Sequence, residues 1–82
     1  MIINITEGYT FQRHNELIEV ADKNLSELLM LNVINSHCEV ITEEKAISLG
    51  YEDIANWSTP EDKLVYIDDS ILLCCKENDI KS

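Results

Sequence analysis

Glycine and proline together fill only three of 82 positions, so long irregular loops are not expected and most of the chain must lie in regular elements. Basic residues are scarce too: six Lys and Arg stand against sixteen Asp and Glu, a net charge of −10. A field of that sign repels nucleic acid and anionic membrane and attracts cations or basic protein surfaces. Direct DNA or RNA binding is therefore excluded. No apolar run approaches the ~18 residues of a membrane-spanning helix. The chain does not open with a charged segment followed by a long apolar one, so no signal peptide is expected. Cysteine comes in an odd number, Cys38, Cys74 and Cys75. Free thiols without an export signal point to a reducing cytoplasm.

What remains is enough for one small globular domain over residues 1–82. Apolar residues make up 45%, too many for a disordered chain. A chain this short buries only about 60–65% of its unfolded surface, so a partner or a second copy would add to a thin margin of stability.

Along the chain, Ile2-Ile3-Asn4-Ile5-Thr6 is rich in β-branched residues and stops at Glu7-Gly8, which predicts a strand. Tyr9-Thr10-Phe11 can continue the sheet. Between Asn15 and about Asn35, Leu17, Ile18, Ala21, Leu25, Leu28 and Leu29 recur at helical spacing, which predicts one long helix capped by Asn15. A competing parse makes Glu16–Ala21 a strand and starts the helix at Asn24, with Glu27 completing a capping box. The unbroken phase of the stripe favours the single helix. Cys38–Ile41 alternates as a short strand. Thr42 then offers an N-cap, with Glu43 and Glu44 where the helix dipole favours anions. Gly50 either splits this second helix or admits a close backbone, and Ser58-Thr59-Pro60 ends it. Lys63–Ile67 and Ile71–Cys75 read as a hairpin, and Asn78–Ser82 as a frayed tail. The expected fold is α+β: a sheet of about three to five strands with two helices, in the order β-α-β-α-β-β.

The hairpin strands are apolar on both faces, whereas a half-exposed pair would alternate. Both faces must be covered, by the two helices on opposite sides or by a second copy of the chain. At the turn, Tyr66-Ile67-Asp68-Asp69 resembles the YxDD motif of reverse transcriptases, which implies paired aspartates holding catalytic metal ions. The resemblance spans four residues. Such chemistry also needs a further carboxylate and a basic channel, and a net charge of −10 repels the template. Asp68 and Asp69 are read as turn residues.

Other chemistries fare no better. His37-Cys38 and Cys74-Cys75 hold potential zinc ligands, but neighbours in a strand point to opposite faces, so each pair gives at most one good ligand. Buried apolar thiols are the expectation. Glu43–Trp57 has the outline of a helix-turn-helix, yet it offers Glu43, Glu44, Glu52 and Asp53 against Lys45 alone, the wrong charge for reading DNA. No base, nucleophile and stabilising donor fall together, so no enzyme, cofactor or metal is expected.

The acids are unevenly placed. Residues 39–69 carry nine acids and two lysines, whereas residues 1–38 are net −3 and 70–82 are neutral. Within the block the acids come as adjacent pairs: Glu43-Glu44, Glu52-Asp53, Glu61-Asp62 and Asp68-Asp69. Such pairs form a solvated surface or, if they share a face, an anionic surface that imitates a phosphate backbone for a basic partner. Trp57 lies among them as an aromatic anchor candidate. The expected function is a small acidic binding protein that inhibits a basic, nucleic-acid-handling target, of the phage or mobile-element type that acts against restriction or CRISPR systems. An immunity protein or antitoxin for a basic toxin shares the charge logic. A structural homodimer or accessory subunit through the apolar hairpin is the remaining alternative.

Overall fold

A computed structural model describes residues 1–67 and 71–81. Its elements are strands β1 (Ile2–Ile3), β2 (Thr10–Arg13) and β3 (Glu16–Glu19), helix α1 (Lys23–Asn35), strand β4 (Cys38–Ile41), helices α2 (Glu43–Ser48) and α3 (Ile54–Trp57), strands β5 (Lys63–Ile67) and β6 (Ile71–Cys75), and strand β7 (Ile80–Lys81) after a 3₁₀ turn at Glu77–Asp79. Five strands form an antiparallel sheet in the order β3-β2-β6-β5-β4, and β1 pairs with β7 as a separate ribbon. The α+β class and the run of strands and helices are those expected, with extra short strands at both ends.

Register divides the sheet into two faces, because successive residues of a strand alternate. On one face Phe11, Leu73, Val65, Ile67 and Ile71 meet Leu29 and Val33 of α1, together with Ile3 of β1. On the other, Leu64, Leu72 and Cys74 meet Ala46 of α2, Ile54 of α3 and Tyr51 between them. All five residues of β6 are buried. The doubly apolar hairpin is thus the centre of a sandwich, covered on each side by helices of its own chain. No face of β6 is left for a second copy.

The long helix from Asn15 is replaced by a hairpin and a shorter helix. Phe11 pairs with Ile18 and Gln12 with Leu17, so the first part of the apparent stripe is a strand. A two-residue connection at His14-Asn15 joins β2 and β3, with His14 in the left-handed region at φ 56°, a backbone that suits the twist of a hairpin. Helix α1 starts instead behind Asp22, whose Oδ1 accepts from the Leu25 N–H at 2.9 Å. Helical phase continued through Ala21 by coincidence, while the pairing with β2 decided the local structure. The C-terminal residues are also no frayed tail: Ile80 pairs with Ile3 and packs against the α1-side core.

Candidate functional site

The second helical layer is the segment that carries Glu43-Glu44, Glu52-Asp53 and Glu61-Asp62. Thr42 caps α2, its Oγ1 accepting from the Lys45 N–H at 3.1 Å. Glu43 and Glu44 fall in the first turn, both exposed. The helix ends in a Schellman motif: the Tyr51 N–H donates to Ala46 O and the Gly50 N–H to Ile47 O, each at 3.0 Å. Gly50 stands at φ 105°, so it splits the segment into two helices. Tyr51 and Ala46, the two ends of the bond that spans more residues, both enter the core. Tyr51 also meets Tyr66 edge-on, ring centroids 6.4 Å apart. Burial, and then the neighbouring Tyr66, raise the Tyr51 phenol above its ordinary range.

After this stop, Glu52 and Asp53 are exposed at the entry to α3. Asp53 occupies the N-cap position without a side-chain capping bond, which leaves its carboxylate outward. Glu61 is exposed in the next turn. Across residues 42–62 six carboxylates face Lys45 alone, a net charge of −5. Helix α1, on the far side of the sheet, carries only Lys23 and Glu27 and is neutral. Among the described residues the one ion pair is Lys23–Glu27, at 3.9 Å. Glu43, Glu44, Glu52, Asp53 and Glu61 are all exposed on the segment whose Ala46, Tyr51 and Ile54 cover this side of the sheet.

Asp62 belongs to that layer but has a different job. Its Oδ2 accepts from the Thr59 N–H at 2.9 Å and from the Cys74 thiol at 3.1 Å. Burial pushes this carboxyl up, but the Thr59 and Cys74 hydrogen bonds and the nearby Lys76 charge outweigh it and hold it below its usual range. It clips the loop to the central strand. Trp57 is half-buried against the same core, and its indole Nε1 is enclosed without an acceptor. It borders a recess of about 280 Å³ with Gln12, Asn15, Leu17, Asp53 and Asn56. Asp68 and Asp69 lie outside the described residues.

Two acids outside the adjacent pairs also belong to this side. Glu19 pairs with Thr10 and Glu39 with Tyr66, so register turns both toward the α2–α3 side of the sheet. They stand exposed on its two edge strands. Their alternation with neighbours was readable, but which face they share was not until the pairing was known.

The thiols form no cluster. Cys75 lies on the α1 face and Cys74 on the other. Burial, then the charge of Asp62, pushes the Cys75 thiol up to about 11. Burial, the bond to Asp62 and the charges of Asp62 and Cys75 push Cys74 higher still. Cys38, on β4, donates to Val33 O at 3.5 Å. Among the described residues no three His, Cys, Asp or Glu side chains are placed to hold a metal ion, and no helix is long and apolar enough to cross a membrane. No protein-family model, curated protein or solved structure matches this chain.

Proposed function

We propose that this is a small acidic binding protein whose α2–α3 layer inhibits a basic protein that handles nucleic acid. One observation carries the reading: Glu43, Glu44, Glu52, Asp53 and Glu61 are all exposed on the α2–α3 segment, whose residues 42–62 hold Lys45 as their one base, with Lys63 and Lys76 at its border, while helix α1 on the other side of the sheet is neutral. An anionic field concentrated on one side steers a cationic surface toward it and presents carboxylates where that surface would hold phosphates. Glu19 and Glu39 extend the field to the sheet edges. A phage or mobile-element inhibitor of a restriction or CRISPR enzyme uses such a surface, and so does an immunity protein against a nuclease toxin. The buried, reduced Cys74 and Cys75 favour a reducing compartment such as the cytoplasm.

The test is affinity capture from host extract on the immobilised chain, with stepwise salt elution and duplex DNA as competitor. The expected outcome is a basic nuclease, polymerase or nucleoprotein released by salt and displaced by DNA. Paired reversals of Glu43 and Glu44 to Lys, and of Glu52 and Asp53 to Lys, should each weaken its retention. Equal retention by every reversal would overturn the proposal.

A further inference from the structure

Helix α1 is apolar on more sides than its own fold uses. Leu29 and Val33 enter the core, with Leu25 and Met30 packed beside them. Yet Leu28, Leu31 and Ile34 are 62%, 55% and 60% exposed. Their spacing of three residues aligns them on the outer side of the helix, and from Leu28 to Asn35 the helix has no charged residue. From Leu28 to Ile34 the one polar residue is Asn32, and a helical stretch apolar on its outer as well as its inner side is normally covered on both.

We infer that this outer stripe is the self-association face of the protein, occupied by α1 of a second copy packed antiparallel across a two-fold axis at Leu31. Three features select that occupant. The stripe is symmetric about its middle residue, so Leu28 meets Ile34 of the second copy, Leu31 meets its equivalent, and one patch serves both subunits, as an isologous interface requires. Charge agrees. Two chains of net charge −10 repel at most approaches, but here neutral helices meet while both acidic layers point away across a molecule 24–28 Å in extent. That distance well exceeds a Debye length of about 8 Å.

Area fits as well. Ile2, 57% exposed on β1, and Met1, 42% exposed, add to the side where β1 packs against α1. Leu28, Leu31 and Ile34, each more than half exposed, make an apolar patch on the order of a few hundred Å², the size that marks an interaction surface on a small protein, and the remainder of the ~800 Å² per partner in a standard interface falls to its surroundings. Asn24, Asn32 and Asn35, all exposed on α1, furnish a polar rim. This surface is separate from the acidic layer and does not rest on the function proposed for it.

Sedimentation velocity from low micromolar to several hundred micromolar tests the inference. The 9.4 kDa chain should shift toward twice its mass with concentration. Leu31→Glu and Leu31→Lys each place like charges on the axis while leaving the core untouched, and both should stay monomeric with an unchanged far-ultraviolet spectrum. Leu31→Cys should form an intermolecular disulfide under mild oxidation, whereas Ile47→Cys on the other layer should not. Reversing Glu52 and Asp53 to Lys should leave the dimer intact. A wild-type chain that remains monomeric at the highest concentration would overturn the inference, and so would a dimer that survives both Leu31 charge variants.

Discussion

The Cys74 thiol, at the centre of the sheet, donates to Oδ2 of Asp62 at 3.1 Å. This bond joins the loop before β5 to the central strand of the five-stranded sheet. The same carboxylate oxygen accepts the Thr59 N–H, so Asp62 organises the Thr59–Asp62 turn as well. Asp62→Ala leaves a largely buried thiol and a backbone donor without their acceptor, an expected loss of about 1–3 kcal/mol. That would lower the thermal midpoint by several degrees in a domain of this size. Glu61→Ala, one residue away and exposed, should change it little. Matching midpoints for the two variants would show that the clip contributes nothing.

Much of this arrangement was legible wherever the determinant was local. Thr42 followed by Glu43 and Glu44 announces a helix start, because caps are settled within a few residues, whereas Gly50 allowed either a stop or a close backbone approach until its positive φ decided for the stop. The acidic pairs were equally visible. Asp62 looked like its neighbours, however, and its role depends on Cys74 twelve residues away across the β5–β6 hairpin. Strand β3 stood only as the competing parse for a related reason: Leu17 and Ile18 continue a helical phase, and pairing with Gln12 and Phe11 makes them a strand. Strand β7 is two residues long and is defined by β1 at the opposite end of the chain. No local propensity reports such a partner.

Alkaline pH should destabilise the fold. Cys75 and Cys74 keep their protons in the folded state, Cys75 to about 11, while unfolded thiols ionise near ~8.5. The native state therefore binds more protons than the unfolded state above that pH, and stability declines as pH rises through the interval. Tyr51, also raised, extends the decline beyond the ordinary tyrosine range near ~10. Urea midpoints at pH 7, 9 and 10.5 should fall in that order, and less steeply for Cys75→Ala. An unchanged midpoint across the series would contradict the protonated, buried state of both thiols.

Gly50 isolates a purely conformational effect. A Cβ built there meets nothing within 4 Å, but φ 105° is a backbone that side-chain-bearing residues rarely adopt. Gly50→Ala should cost about 1–3 kcal/mol through backbone strain alone. Leu49→Ala, exposed at the preceding position, should cost little. Stability equal to wild type in Gly50→Ala would mean that the Schellman turn relaxes into another conformation.

The β1–β7 ribbon offers the last test, because it decides whether the C-terminal segment is part of the fold. Ile80 pairs with Ile3, which is 1% exposed, and Ile80 packs on the cluster that also holds Leu29 and Val33. Its side chain is only partly buried, so Ile80→Ala should fall at or below the ~2–5 kcal/mol of fully buried truncations, near 2 kcal/mol. Lys81→Ala, on an exposed residue of the same strand, should be near neutral. Amide exchange gives a second readout. The Asn4 N–H donates to Asp79 O at 2.8 Å, and its protection should drop in Ile80→Ala while that of β6 follows only the global loss. Equal stability for the Ile80 and Lys81 variants, with Asn4 exchanging as freely as an unstructured amide in both, would show that the segment is loose and that β1 is held by α1 alone.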